Sequence, residues 1–218
     1  MIATEQKTST VSRIQELVSQ QWPEAVYVGD VAHGDTFPIN VSALRILFPD
    51  SGIPAGQLLE ITGGVSSGKT TVLMQLLAGI SQGTQIIYVD FGRTFFPPAA
   101  AAAGIDLSQV LLLRPESLPE GIRAAELLLQ QGQARCVVFE LVGRNERVPP
   151  ILLHRLRQLI LKSKAVALFL TEDSSRALPA SLIALQLTVT KTGSDTIEIV
   201  TTKSRLTCEG TKAKLVRC

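Results

Sequence analysis

An α/β domain with a parallel central sheet and an antiparallel C-terminal extension is the fold the sequence predicts. Strand-like and helix-like stretches alternate from Gln57 to Thr171, the pattern of successive βα units. A glycine-rich loop lies between the first strand and the first helix of that series. Beyond it, two strand-like runs flank Lys191-Thr192-Gly193-Ser194-Asp195, a hairpin signal that ends the alternation.

Residues 1–30 read as an N-terminal helix and arm, and residues 31–218 as the core domain. Ser12 and Gln15 have capping-box spacing, and Val11, Ile14, Leu17 and Val18 recur at helical intervals up to Trp22-Pro23. Val26–Val28 is a brief strand and His33–Pro38 a loop. Gln57–Thr62 is the first core strand, and the helix after the glycine loop carries Val72, Leu73, Leu76, Leu77 and Ile80. Gln85–Asp90 and Val110–Arg114 are continuous apolar runs, as expected of strands buried on both faces. Ala99–Ala103 starts a helix after Pro97-Pro98. Leu118–Gln131 reads as a helix, Arg135–Leu141 as a strand, Pro149–Leu161 as a helix and Ala165–Thr171 as a strand. Ser181–Thr190 and Thr196–Arg205 form the hairpin arms.

Bulk composition narrows the class further. With 218 residues, 45% hydrophobic and 18% charged, the chain can bury a full core and is too apolar for disorder. The net charge of +2 conceals an uneven distribution. Six Lys or Arg stand against Glu146 between Arg144 and Lys164, and five against Glu209 from Lys203 to Cys218. That charge suits either phosphate, an acidic partner or plain solvation. Cys136, Cys208 and Cys218 form no CxxC pair, which argues for a reducing compartment and against zinc. The polar start MIATEQKTST has no apolar signal region, and no apolar run approaches the roughly 20 residues of a spanning helix. The expected location is cytoplasmic.

Gly63-Gly64-Val65-Ser66-Ser67-Gly68-Lys69-Thr70 satisfies every fixed position of G-x-x-x-x-G-K-[ST] between a strand and a helix. Glycines let backbone N–H groups converge on phosphate oxygens, and the helix N-terminus adds partial positive charge. Gly63, Ser66, Ser67, Gly68, Lys69, Thr70 and Thr71 are therefore the candidate nucleotide-binding residues. Lys69 would reach the β- and γ-phosphates of ATP, and the Thr70 hydroxyl would ligate Mg²⁺. Asp90 and Glu140 end neighbouring strands and are candidate partners of the metal, or ordinary strand-end carboxylates. His33 reads as a turn residue and His154 as a solvated one. Arg144, Arg147, Arg155 and Arg157 are the candidate contacts to DNA or a protein. With few aromatics nearby, only sequence-independent phosphate contact is expected of them.

The run Gly52-Ile53-Pro54-Ala55-Gly56-Gln57-Leu58-Leu59-Glu60-Ile61, continuing into Ser66-Ser67-Gly68-Lys69-Thr70-Thr71, resembles the RecA/recombinase family. Tyr88-Val89-Asp90, Pro97 and Ala103-Gly104-Ile105-Asp106 echo the same family, as does Tyr27-Val28-Gly29-Asp30 after the N-terminal helix. The resemblance covers most of the chain and is weakest after Leu141. It implies a docking role for the N-terminal helix, hence self-association or binding to a RecA subunit.

The departures from that family are specific. Its water-activating glutamate would stand two residues after Asp90, where this chain has Gly92. Ala99 takes the place of an adenine-stacking tyrosine, Glu140 that of the Walker B aspartate, and Glu172 that of a γ-phosphate-sensing glutamine. Glu172 is thus the one candidate catalytic residue, or else a surface or salt-bridged glutamate. The segments matching RecA's DNA-binding loops look short, and RecA's C-terminal domain is missing. A trimmed core of this kind is similar to the ImuA family, accessory proteins of bacterial SOS mutagenesis. The resemblance implies RecA and error-prone polymerase components as partners, weak or absent single-stranded DNA binding, and weak or no ATP hydrolysis. A DNA-dependent ATPase or minor recombinase is the rival reading. Cell-division inhibitors of the SulA type are a third RecA-like class, but they lack a phosphate loop.

Overall fold

A computed structural model of the chain describes residues 35–132, 134–143, 147–172 and 178–216. By its contacts the chain divides into residues 1–33 and 34–218. The expected helix around Ile14, Leu17 and Val18, the strand Val26–Val28 and His33 lie outside the described residues, as do Arg144 and Cys218.

Eight strands form the main sheet. In chain order they are β3 (Gln57–Thr62), β4 (Ile86–Asp90), β5 (Val110–Leu113), β6 (Cys136–Glu140), β7 (Val166–Thr171), β8 (Leu185–Lys191), β9 (Thr196–Ser204) and β10 (Lys212–Val216). Their spatial order is β10-β9-β8-β3-β7-β6-β4-β5. The six strands from β8 to β5 are mutually parallel, and β9 and β10 extend them antiparallel. This is the predicted architecture. Helices joining the parallel strands cover both faces, so β4, β6 and β7 are buried at every residue.

The helices follow from the same sequence logic. α2 (Lys69–Ile80) packs one face of the sheet through Val72, Leu73, Leu76 and Leu77. α4 (Leu118–Gln130) is capped by the Ser117 hydroxyl, which accepts from the Glu120 N–H, and has Pro119 in its first turn. It packs the other face with α5 (Pro150–Ser163), which ends at Lys164 in a left-handed conformation. α1 (Ser42–Arg45) and α3 (Pro97–Ala102) are short.

Three expectations need correcting. The stretch to Pro38 is not all loop: β1 (Thr36–Pro38) pairs antiparallel with β2 (Gly52–Pro54). Three-residue strands carry too little alternation to be read. The first hairpin arm begins at Leu185, because Pro179 starts a turn closed by the Leu182 N–H. The hairpin also has a third member, β10, whose burial alternates strictly. Its outward Lys212 and Lys214 put charge on this edge strand, which discourages edge-to-edge pairing.

α2 lies so close to β1 that Gly79 has no room for a side chain: an added Cβ would strike the Pro38 carbonyl. Gly83, one turn later, faces open space. Gly79→Ala should therefore cost about 1–3 kcal/mol by overpacking. At roughly 2–4 °C per kcal/mol, thermal unfolding by circular dichroism should show a clear drop in Tm. Gly83→Ala should leave Tm unchanged or slightly raised.

Candidate functional site

The glycine loop leaves the end of β3 and turns directly into α2. Ser66 (φ 60°) and Gly68 (φ 93°) both adopt left-handed backbone, which folds the loop back on itself. Two glycines are required by contact as well. A Cβ on Gly63 would strike the Val189 carbonyl of β8 and lie 2.6 Å from the Ser67 hydroxyl. A Cβ on Gly68 would lie 2.5 Å from Ile197 Cδ1 of β9. Gly64 has open space around it. The loop is thus seated against the β8–β9 hairpin.

A cavity of about 310 Å³ is lined by Ser66, Ser67, Gly68, Lys69, Thr70, Thr71 and Lys191. Six of the seven expected nucleotide-binding residues meet there, and the seventh, Gly63, forms the base of the loop. The Lys69 ammonium donates to the Gly64 carbonyl at 3.0 Å, spanning the loop. Burial lowers the Lys69 pKa, while the negative charges of Glu172 and Glu140 pull it back up. Both glutamates are therefore close enough to act on this cation. The buried Ser67 hydroxyl has no hydrogen-bond partner, which is costly unless a ligand supplies one. These features fit the phosphate groups of a nucleotide. The Thr70 hydroxyl and the Glu140 carboxylate are hard oxygen donors of the kind Mg²⁺ takes.

The strand-end carboxylates divide their work. Glu140 is buried and accepts from the Tyr88 hydroxyl at 2.8 Å. Burial, followed by the Glu140 charge and this hydrogen bond, drives the Tyr88 pKa up, so Tyr88 stays a proton donor. Asp90, a candidate partner of the metal or an ordinary strand-end carboxylate, is engaged by the loop that follows it. Its two oxygens accept from the Thr94 N–H (2.9 Å) and the Phe95 N–H (3.2 Å), and Arg114 lies 3.4 Å from Oδ2. Asp90 anchors the loop after β4. Phe95, held by that anchor, packs its ring 4.6 Å from the Tyr88 ring. A third buried carboxylate, Glu60, accepts from Thr171 (2.8 Å) and Gln186 (2.7 Å), tying β3 to β7 and β8.

Gly92 is exposed, and a Cβ there would lie 3.2 Å from the Thr94 methyl, which can rotate away. No carboxylate comes from this position. Glu172 is exposed at the end of β7.

Arg155 and Arg157 do not share a face of α5. Arg155 reaches Glu126 of α4 at 3.0 Å, whereas Arg157 lies near Arg205 and helps lower its pKa, after burial. Residues two apart on a helix point about 200° apart, so one surface cannot use both. Arg147 is exposed in the segment before α5. Sequence reading missed Tyr88, Glu60, Arg114 and Lys191. The lone phenol in the apolar run Ile86–Asp90 was the one available signal.

Residues 28–150, more than half of the chain, match the family model for the RecA N-terminal domain. The chain is 30% identical over 156 residues to the RecA protein of Lactobacillus delbrueckii subsp. bulgaricus, covering 63% of this chain and 47% of that one. It is 29% identical over 149 residues to the RecA of Bacillus anthracis, covering 60% and 43%. The chain therefore spans less than half the length of these relatives. Its fold is similar to the crystal structure of the RadB recombinase, with a TM-score of 0.65 and 21% identity, over 83% of this chain and 95% of that one.

Asp90→Ala should orphan two backbone N–H groups, the one on Phe95 buried. The expected loss is about 2–4 kcal/mol in urea unfolding. Arg114→Ala, which removes a half-exposed partner, should cost less than 1 kcal/mol.

Proposed function

The chain belongs to the RecA family, and on that premise we propose that it is a nucleotide-binding accessory protein of the bacterial DNA-damage response with little ATP hydrolysis. The observation that carries this reading is a contrast within one site. The phosphate loop is intact, with an orphaned Ser67 hydroxyl and Lys69 beside Glu140, while Gly92 supplies no carboxylate.

In this reading Gly63, Ser66, Ser67, Gly68, Lys69, Thr70 and Thr71 hold the phosphates of ATP, and Thr70 and Glu140 hold Mg²⁺. The metal, when bound, neutralises charge on the phosphates. Tyr88 fixes the Glu140 carboxylate through its hydrogen bond. Hydrolysis further needs a group that orients and deprotonates water, a contribution of roughly 10²–10⁴ in rate. Gly92 cannot provide it.

The role proposed beyond binding is that of an ImuA-like scaffold in error-prone translesion synthesis, with RecA and error-prone polymerase components as partners. Self-association through the N-terminal helix and weak or absent single-stranded DNA binding belong to the same proposal, as does a cytoplasmic location. Among the described residues no helix is long and apolar enough to cross a membrane. A DNA-dependent ATPase is the second reading, favoured by the negative charge of Glu172 acting on Lys69.

Phosphate release from ATP, with and without single-stranded DNA, separates the two. The expected outcome is near-background turnover, raised by Gly92→Glu. Robust turnover abolished by Glu172→Gln would instead make the chain an enzyme with a relocated base. Lys69→Ala should weaken nucleotide binding at least tenfold, and unchanged affinity would refute a working loop.

The pH dependence has a defined sign. Phosphate favours the charged form of Lys69, whose pKa is lowered by burial. Affinity should stay level below that pKa and fall as pH rises through it, on the acidic side of the ordinary lysine range. Titrations with a fluorescent ATP analogue at increasing alkaline pH should show the fall. Lys69→Arg should remove it, because a guanidinium stays protonated.

A further inference from the structure

We infer that Lys191 is a second phosphate-binding cation of this site, acting on the bound nucleotide from the β8–β9 hairpin; the inference rests on the nucleotide-binding reading above. Lys191 is the last residue of β8 and lines the same cavity as Ser66–Thr71. Among the described residues it is the one that lines the cavity from outside the segment Ser66–Thr71.

The hairpin that carries Lys191 is fixed relative to the loop. Gly63 backs onto the Val189 carbonyl, two residues before Lys191, and Gly68 backs onto Ile197, the residue paired with Lys191 across the hairpin. The turn between the arms is closed by Thr192, whose N–H donates to the Thr196 carbonyl at 3.0 Å. The turn's own carboxylate, Asp195, accepts from Ser194 at 2.9 Å. Lys191 is exposed and forms no ion pair among the described residues, so its ammonium is available to an anion in the cavity.

The two lysines would act differently. Lys69 is buried, pays a desolvation penalty and is tied to the loop by its bond to the Gly64 carbonyl. Lys191 is solvated, so its attraction is screened by salt and depends little on geometry. A polyphosphate between two such cations is held on both sides. Among the described residues lining the cavity the charged ones are Lys69 and Lys191, which suits the phosphate chain of a nucleotide.

The test compares wild type, Lys191→Gln, Lys191→Arg and Lys212→Gln in titrations with a fluorescent ADP analogue at low and high salt. Lys212 lies on the edge strand β10 and controls for loss of overall charge. The expected result is roughly three- to tenfold weaker binding by Lys191→Gln at low salt. The deficit should shrink at high salt, be absent in Lys191→Arg and not appear in Lys212→Gln. Wild-type binding with Lys191→Gln unchanged would overturn the role of Lys191 and leave the loop reading standing. Equal weakening by Lys212→Gln would also overturn it, as an effect of net charge. No binding by wild type would overturn the loop reading and this inference together.

Discussion

The curl of the phosphate loop depends on the close approach of the β8–β9 hairpin to two glycines. Gly63 meets the Val189 carbonyl and Gly68 meets Ile197, so the loop is walled on one side by strands that come more than a hundred residues later in the chain. Short β3–loop–α2 geometry alone would leave a free edge there. The parallel pairing of β8 with β3 and the antiparallel return of β9 bring the wall into place. The Gly63 contact is backbone against backbone, where neither partner can rotate away, and the Gly68 contact is with the buried Ile197 side chain. The loop's donors are thus set before any ligand arrives, which is how a phosphate site avoids the cost of ordering itself on binding.

Two buried strand-end carboxylates, Asp90 and Glu140, are connected by geometry rather than by sequence. Asp90 holds the backbone of Thr94 and Phe95, the Phe95 ring packs on Tyr88, and Tyr88 holds Glu140. A displacement at the loop after β4 would therefore reach Glu140 through one ring contact and one hydrogen bond. Glu60 works separately, bracing β3 against β7 and β8 through Thr171 and Gln186. Buried charges are tolerated here because each carboxylate has at least one donor on it.

Much of this was legible in the sequence, and the reasons are physical. Strands β4, β6 and β7 were legible as apolar runs because both of their faces are covered. The phosphate loop was legible because its glycines and lysine have no substitutes in that role. β1 and β2 were not, since three-residue strands show no period, and the start of β8 was misplaced because Leu182, Ile183 and Ala184 are buried without being strand. Between its two readings, Asp90 could not be decided from sequence. A carboxylate ending a buried strand looks the same in sequence whether it faces a metal or caps its own loop. Lys191 was invisible because its importance lies in a neighbour, the loop, that is distant along the chain.

The hydrogen bond between Tyr88 and Glu140 also constrains the paths by which this site can change. Glutamate is one methylene longer than aspartate, and the Tyr88 hydroxyl receives that extra reach at 2.8 Å within the core. Shortening residue 140 alone would draw the carboxylate back and leave a phenolic hydroxyl unbonded among apolar side chains, a cost of about 1–3 kcal/mol. Replacing Tyr88 alone would strip the buried carboxylate of its donor. Each single step loses stability and only the double step is level. The two residues are therefore coupled across adjacent strands, and a shorter acid at residue 140 fits without loss only if residue 88 changes with it.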